Sequence, residues 1–226
     1  MAANTRTGRA TARRSFLGRL AAGIGAGGAA LVAGTPAAAQ VPRAFTPRRH
    51  AEDDWLDTLG TQHRFVFDTT TTAAFSNTLR FARNFLNANQ SGYGLKDEDS
   101  GVVIVARHLS TPYGYNDALW AKYGTTLGAF ANPGTPVAKA PVANPLNDAT
   151  TVDVVIGALI KRGAHLAVCG MATRFLAGQI AKATGGNAET IQAEIAANLV
   201  PNAHLVAAGI LAVNRAQERG YTLASA

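Results

Sequence analysis

Ala164-His165-Leu166-Ala167-Val168-Cys169-Gly170-Met171 is the stretch on which the fold turns. It reads as a short buried strand that stops at a cysteine and turns at a glycine. The amphipathic run Met171 to Ala183 follows at once, so strand and helix are joined with almost no linker. In an open α/β sheet, ligands and chemistry gather just beyond the carboxyl ends of the strands. Cys169 stands at such an end and is the single cysteine of the chain. A thiol there also faces the amide-rich start of the next helix, which favours a thiolate.

Working outward, the same alternation repeats. Upstream, Val152, Val155, Ile156, Leu159 and Ile160 make a helical stripe that ends at Lys161-Arg162-Gly163. Before it, Asn132 to Asn147 holds four prolines (133, 136, 141 and 145) and predicts a long surface loop of functional weight. Gly101 to Arg107 is an unbroken β-branched run, typical of a central parallel strand. It ends at His108, and Asn116 or Asp117 caps the helix that follows. Arg64 to Asp68 predicts the first strand, and Thr72 the cap of a helix that breaks at Gln90-Ser91-Gly92-Tyr93-Gly94. Residues 40–60 read as a polar arm with a short helix around Trp55-Leu56. Downstream come a short helix over Glu189 to Asn198, a strand at Ala203 to Ala208, a helix from Gly209 to Arg219 and an edge strand at Tyr221 to Leu223. The order predicts a three-layer α/β fold with a flavodoxin-like, mostly parallel sheet over residues 61–226.

The first 39 residues belong to a different kind of sequence. Arg13-Arg14 precede a Gly- and Ala-diluted apolar stretch from Leu20 to Gly34, and Ala37-Ala38-Ala39 supplies small residues at a cleavage position. The apolar stretch is shorter than the ~20 residues of a spanning helix. Basic region, weak apolar region and small-residue site describe a signal peptide, and the paired arginines make it similar to the twin-arginine class. The expectation is export to the periplasm by the twin-arginine machinery, with no stable membrane anchor left after cleavage. Five of the 21 basic residues and none of the 14 acidic ones lie in this leader. The remaining chain is therefore nearly balanced, which argues against a nucleic-acid partner. Gly23-Ile24-Gly25-Ala26-Gly27-Gly28 matches a dinucleotide-binding pattern, but it follows no strand and lies inside the leader.

From about Val152 onward the chain resembles the DsrE/DsrF-like sulfur-relay superfamily. The resemblance rests on Ala167-Val168-Cys169-Gly170, Asn198-Leu199-Val200-Pro201, Val206-Ala207-Ala208-Gly209 and the closing Arg215-Ala216-Gln217-Glu218-Arg219-Gly220-Tyr221. It implies a parallel α/β layer, assembly as trimers or hexamers, and a cysteine that accepts and passes on sulfur as a persulfide. On that implication the partners are a sulfur donor or acceptor protein and further copies of the chain, and no cofactor is called for.

Cys169 has two readings: a thiolate nucleophile with an accessible sulfur, or a small buried residue that behaves as an apolar one. Asp68 and His108 end their own strands on the same sheet edge. They read either as a base with its orienting carboxylate or as a turn cap and a solvated loop residue. Gly170, Tyr113 and Asn116 are the candidate binding residues beside them. His165 and His204 begin their strands and so lie at the opposite edge. No spacing suggests a metal site, a phosphate loop or a nucleophile elbow. Two functions follow: an exported sulfur carrier working through Cys169, or a non-catalytic oligomeric binding or assembly module on the same fold.

Overall fold

A computed structural model describes residues 45–150 and 152–226. The leader, including Arg13, Arg14 and the expected cleavage site, lies outside the described residues. Strands His63–Thr69 (β1), Ser100–Ala106 (β2), His165–Cys169 (β3), Ala203–Val206 (β4) and Thr222–Ser225 (β5) form one sheet. Its order is β4-β3-β2-β1-β5, with every neighbouring pair parallel. The helices are Thr72–Tyr93 (α1), Asp117–Ala131 (α2), Ile156–Lys161 (α3), Gly170–Thr184 (α4), Ala188–Ala196 (α5) and Gly209–Gln217 (α6). The three-layer, flavodoxin-like architecture expected from the sequence is the one observed.

Topology decides how the faces are covered. From β1 to β4 the chain steps across the sheet in one direction, and right-handed crossovers then place every intervening helix on one face. That face carries the larger core, where Phe75, Leu79, Trp120, Leu127, Leu176 and Ile180 pack on Phe67, Ile104, Leu166 and Val168. The return from β4 to β5 crosses back, so α6 lies on the second face, opposite α1 to α5. There Ala212, Val213 and Ala216 cover Val66, Val103, Val105 and Ala167.

The rest of the second face is closed by a segment expected to be an exposed arm. Ala51–Thr58 is a 3₁₀ helix with Leu56 only 1% exposed. The closing tail of the chain clamps it: Tyr221 Oη donates to the Leu56 carbonyl at 2.6 Å, and Arg219 Nε to Asp57 at 3.1 Å. A face with one helix leaves apolar strand residues uncovered, and Leu56 fills that space. Trp55 of the same segment stacks on His204 at 3.9 Å, and His204 Nε2 meets His165 Nδ1 at 2.9 Å.

Burial first, and the neighbouring His165 second, push the His204 imidazole down to about 4 from 6.5. Burial also lowers His165. A histidine held neutral in the fold binds its proton more readily unfolded, so stability is fully present above pH 6.5 and is lost as pH falls toward 4. Urea unfolding at stepped pH is expected to show that slope, and His204→Gln to flatten it. An unchanged slope in the variant would assign it to other groups.

Several local expectations shift by a residue or a turn. The cap of α1 is Thr71, whose side chain accepts from the Ala74 N–H. Thr72 instead bonds the Tyr113 hydroxyl and the Ala131 carbonyl. The helix runs through Gln90 and Ser91 and ends at Gly94, where φ is +68°. α3 begins at Ile156 and not Val152, because the Asn147 side chain accepts the Gly157 N–H and fixes the start there. The proline-bearing segment 132–147 lies against α2: a Cβ at Gly124 would stand 2.1 Å from the Pro141 carbonyl oxygen. Its Asn144 is 1% exposed and donates to the carbonyls of Tyr113 and Tyr115. The prolines thus shape a structural strap.

Candidate functional site

The turn at Cys169-Gly170 sends β3 into α4 on the first face, whereas the turn after β4 leads to α6 on the second. Neighbouring strands whose exits diverge define a topological switch point, the place where open α/β sheets form a crevice. Cys169 ends β3 beside Val206 of β4, so the thiol sits at that crevice. Gly170 is required by the closeness of the two strands there, since a Cβ would stand 2.7 Å from the Val206 carbonyl oxygen. Both α4 and α6 start at the crevice without a side-chain N-cap. Their first-turn N–H groups make the local potential positive.

Alternation along the strands decides which side chains meet. Asp68 pairs in register with Val105, and Val105 with Ala167, so Asp68, Val105, Ala167 and then Cys169 share the second face. Two residues beyond Val105, Arg107 has the same parity, and His108 the opposite one. Arg107 Nε and Nη2 donate to the two Asp68 carboxylate oxygens, each at 2.7 Å. This bidentate pair is a strong form of charge-assisted hydrogen bond. The Asp68 carboxylate holds the Arg107 guanidinium above its usual range, against burial, and a charged Cys169 sulfur acts in the same direction.

Asp68 therefore orients Arg107 and not His108, which corrects the expected Asp68–His108 pairing. His108 has φ +54° and an exposed side chain at the rim. Its backbone is held by neighbours on both sides: the Ser110 hydroxyl accepts the Arg107 N–H, and the Leu109 N–H donates to the Thr70 carbonyl. Arg107 is the last residue of the strand run Gly101 to Arg107, and parity together with the strand register places it on the face of Cys169.

A hollow of about 230 Å³ opens at this point, lined by Arg107, His108, Cys169, Met171, Ala208 and Ile210. Cys169 is 7% exposed, and it is the free thiol of the chain. Gly209 sets the depth of the hollow, since a Cβ there would stand 2.5 Å from the Arg107 Cβ. Below the first turn of α4, the fully buried Tyr115 hydroxyl bonds Thr173 at 2.9 Å. Burial keeps that phenol neutral far above its usual range.

Tyr113 and Asn116 do not line the hollow. Tyr113 is 2% exposed and its hydroxyl meets Thr72. Asn116 caps α2 through the Leu119 N–H and reaches Asn198. Both hold the 3₁₀ segment His108–Gly114 and α2 in place. Among the described residues, no group of three histidine, cysteine or acidic side chains is arranged to hold a metal ion. No described helix is long and apolar enough to cross a membrane.

No family model matches the sequence, and no curated protein matches it. Among solved structures, that of MTH1491 from Methanobacterium thermoautotrophicum, described as a protein of unknown function, is similar. The likeness covers 73% of this chain and all of that one, at 12% identity and a TM-score of 0.38.

Proposed function

We propose that this chain is an exported, DsrE-like sulfur carrier that takes up one sulfur atom on Cys169 as a persulfide. The observation that carries the reading is the place of Cys169: at the switch point between β3 and β4, in a hollow shared with Arg107. A thiolate there attacks a terminal sulfur of a polysulfide, the donor's S–S bond breaks, and the shortened polysulfide leaves with the electron pair. In the reverse sense, an external thiolate attacks the outer sulfur and the Cys169 thiolate leaves. With no second cysteine in the chain, discharge has to use an outside thiol. Arg107 stabilises the anionic sulfur at both stages, and Asp68 fixes its orientation. The twin arginine at Arg13-Arg14 supports export to the periplasm.

A non-catalytic binding module is favoured by a different observation. Cys169 is nearly covered, while Met171 and Ile210 at the rim are 66% and 59% exposed. Intact mass after polysulfide treatment separates the two. The carrier gains ~32 Da, removed by dithiothreitol, because persulfidation is reversible. Cys169→Ser gains nothing. An unmodified wild-type protein would leave the binding module as the working account.

A further inference from the structure

A groove of about 400 Å³ lies on the second face, between α6 and the chain around the 3₁₀ segment Ala51–Thr58. Its floor is apolar: Val206, Ala208 and Ala212, with Leu205 and Leu211 at the rim, 38% and 37% exposed. Alanine at 207, 208 and 212 keeps the groove open. The facing wall is His50, Glu52 and Asp53. That wall is fixed by the segment it belongs to: Trp55 stacks on His204, Leu56 is buried, and Arg219 holds Asp57. A preformed wall lowers the ordering cost of binding a ligand.

Charge distinguishes this groove from the others. Arg215 lines it, and two carboxylates already share that guanidinium: Nε stands 3.6 Å from Asp53, and Nη1 donates to Glu218 at 2.8 Å. Glu52 is exposed and enters no ion pair among the described residues. The groove therefore carries net negative charge beside an apolar floor. A hollow of about 390 Å³ beside α5 has one acid, Glu194, which Lys122 and Tyr123 already engage at 2.6 and 2.7 Å. The hollow at Cys169 is lined by Arg107 and by no acid.

We propose that this groove binds a small organic cation with an apolar body, an alkyl or aryl amine. The ammonium stands against Glu52 and Asp53, and the body lies on Val206 and Leu211. An anionic ligand would meet the two carboxylates with like charge. Size selects a small molecule over a protein. The volume falls in the ~300–1,000 Å³ range of ligand pockets. Ten residues line the groove, against about 20–30 on each side of a stable protein interface. The inference is independent of the chemistry at Cys169.

Isothermal titration of the purified full chain with benzylamine tests it, beside benzoate as an anion of similar size. Saturable one-to-one binding of the amine is expected, and none of benzoate. Glu52→Gln removes the free carboxylate and should weaken binding about tenfold. Leu211→Lys sets a competing ammonium at the rim and should abolish it. Both side chains are solvent-accessible, so circular dichroism should show both variants folded. Glu194→Gln, at the hollow beside α5, should bind like wild type. Absence of saturable amine binding, equal binding of benzoate, wild-type affinity in Glu52→Gln, or loss of binding in Glu194→Gln would each overturn the proposal. So would a lysine-rich peptide that binds where benzylamine does not.

Discussion

Asp68→Ala is expected to destabilise the fold and to slow the reaction of Cys169 together. The carboxylate is 9% exposed and its Arg107 partner 27%. Removing one member of a buried ion pair costs about 3–5 kcal/mol because the other charge is stranded. Arg107 keeps some contact with water, so about 2–3 kcal/mol is the expected loss, read from urea unfolding. The guanidinium, freed from both carboxylate oxygens, no longer stays beside the sulfur, and iodoacetamide labelling of Cys169 slows. Asp68→Ala with Arg107→Met should recover part of the stability, because no unpaired charge remains, but none of the labelling rate. If Asp68→Ala labelled as fast as wild type, Arg107 would have no part in the chemistry of the thiol.

Asn144→Ala carries the second large effect, and it acts at a distance from the hollow. The side-chain amide serves the carbonyls of Tyr113 and Tyr115, and its oxygen accepts the Leu146 N–H. All of these bonds lie in the interior, so truncation leaves polar groups without water or protein to satisfy them. Each such group costs about 1–3 kcal/mol, and roughly 3 kcal/mol in total is expected once the site relaxes. The strap 132–147 should then loosen from α2 and become the first site of limited proteolysis. A protein that kept both its unfolding midpoint and its protease resistance would show that the strap is held elsewhere.

Much of the fold is legible in the amino-acid sequence, for a specific reason. Buried parallel strands are continuous apolar runs, and the helices between them keep a clean stripe, so Val102–Ala106, Leu166–Cys169 and the Phe75–Leu86 face announce themselves. Cys169 at a strand end follows from the same pattern. What stays hidden depends on parity and on long-range contact. His108 and Arg107 are neighbours in sequence, yet a one-residue step turns a side chain to the other face, and only the strand register selects Arg107. Tyr113 and Asn116 look like pocket residues because they follow a strand, but Thr72, Leu119 and Asn198 engage them. The polar 3₁₀ segment Ala51–Thr58 gives no local sign that it covers a sheet face. Its partners, Arg219 and Tyr221, lie more than 160 residues away.

The central claim is that Cys169 is a reachable, reactive thiol in the native fold and not a packing residue. Pulsed iodoacetamide labelling of the folded protein across low urea concentrations tests it most directly. Complete labelling is expected, at a rate that does not change with urea below the unfolding transition and that falls in Arg107→Gln. Labelling that appears only as the protein unfolds, with a rate that tracks the unfolded population, would contradict the account and return Cys169 to the core.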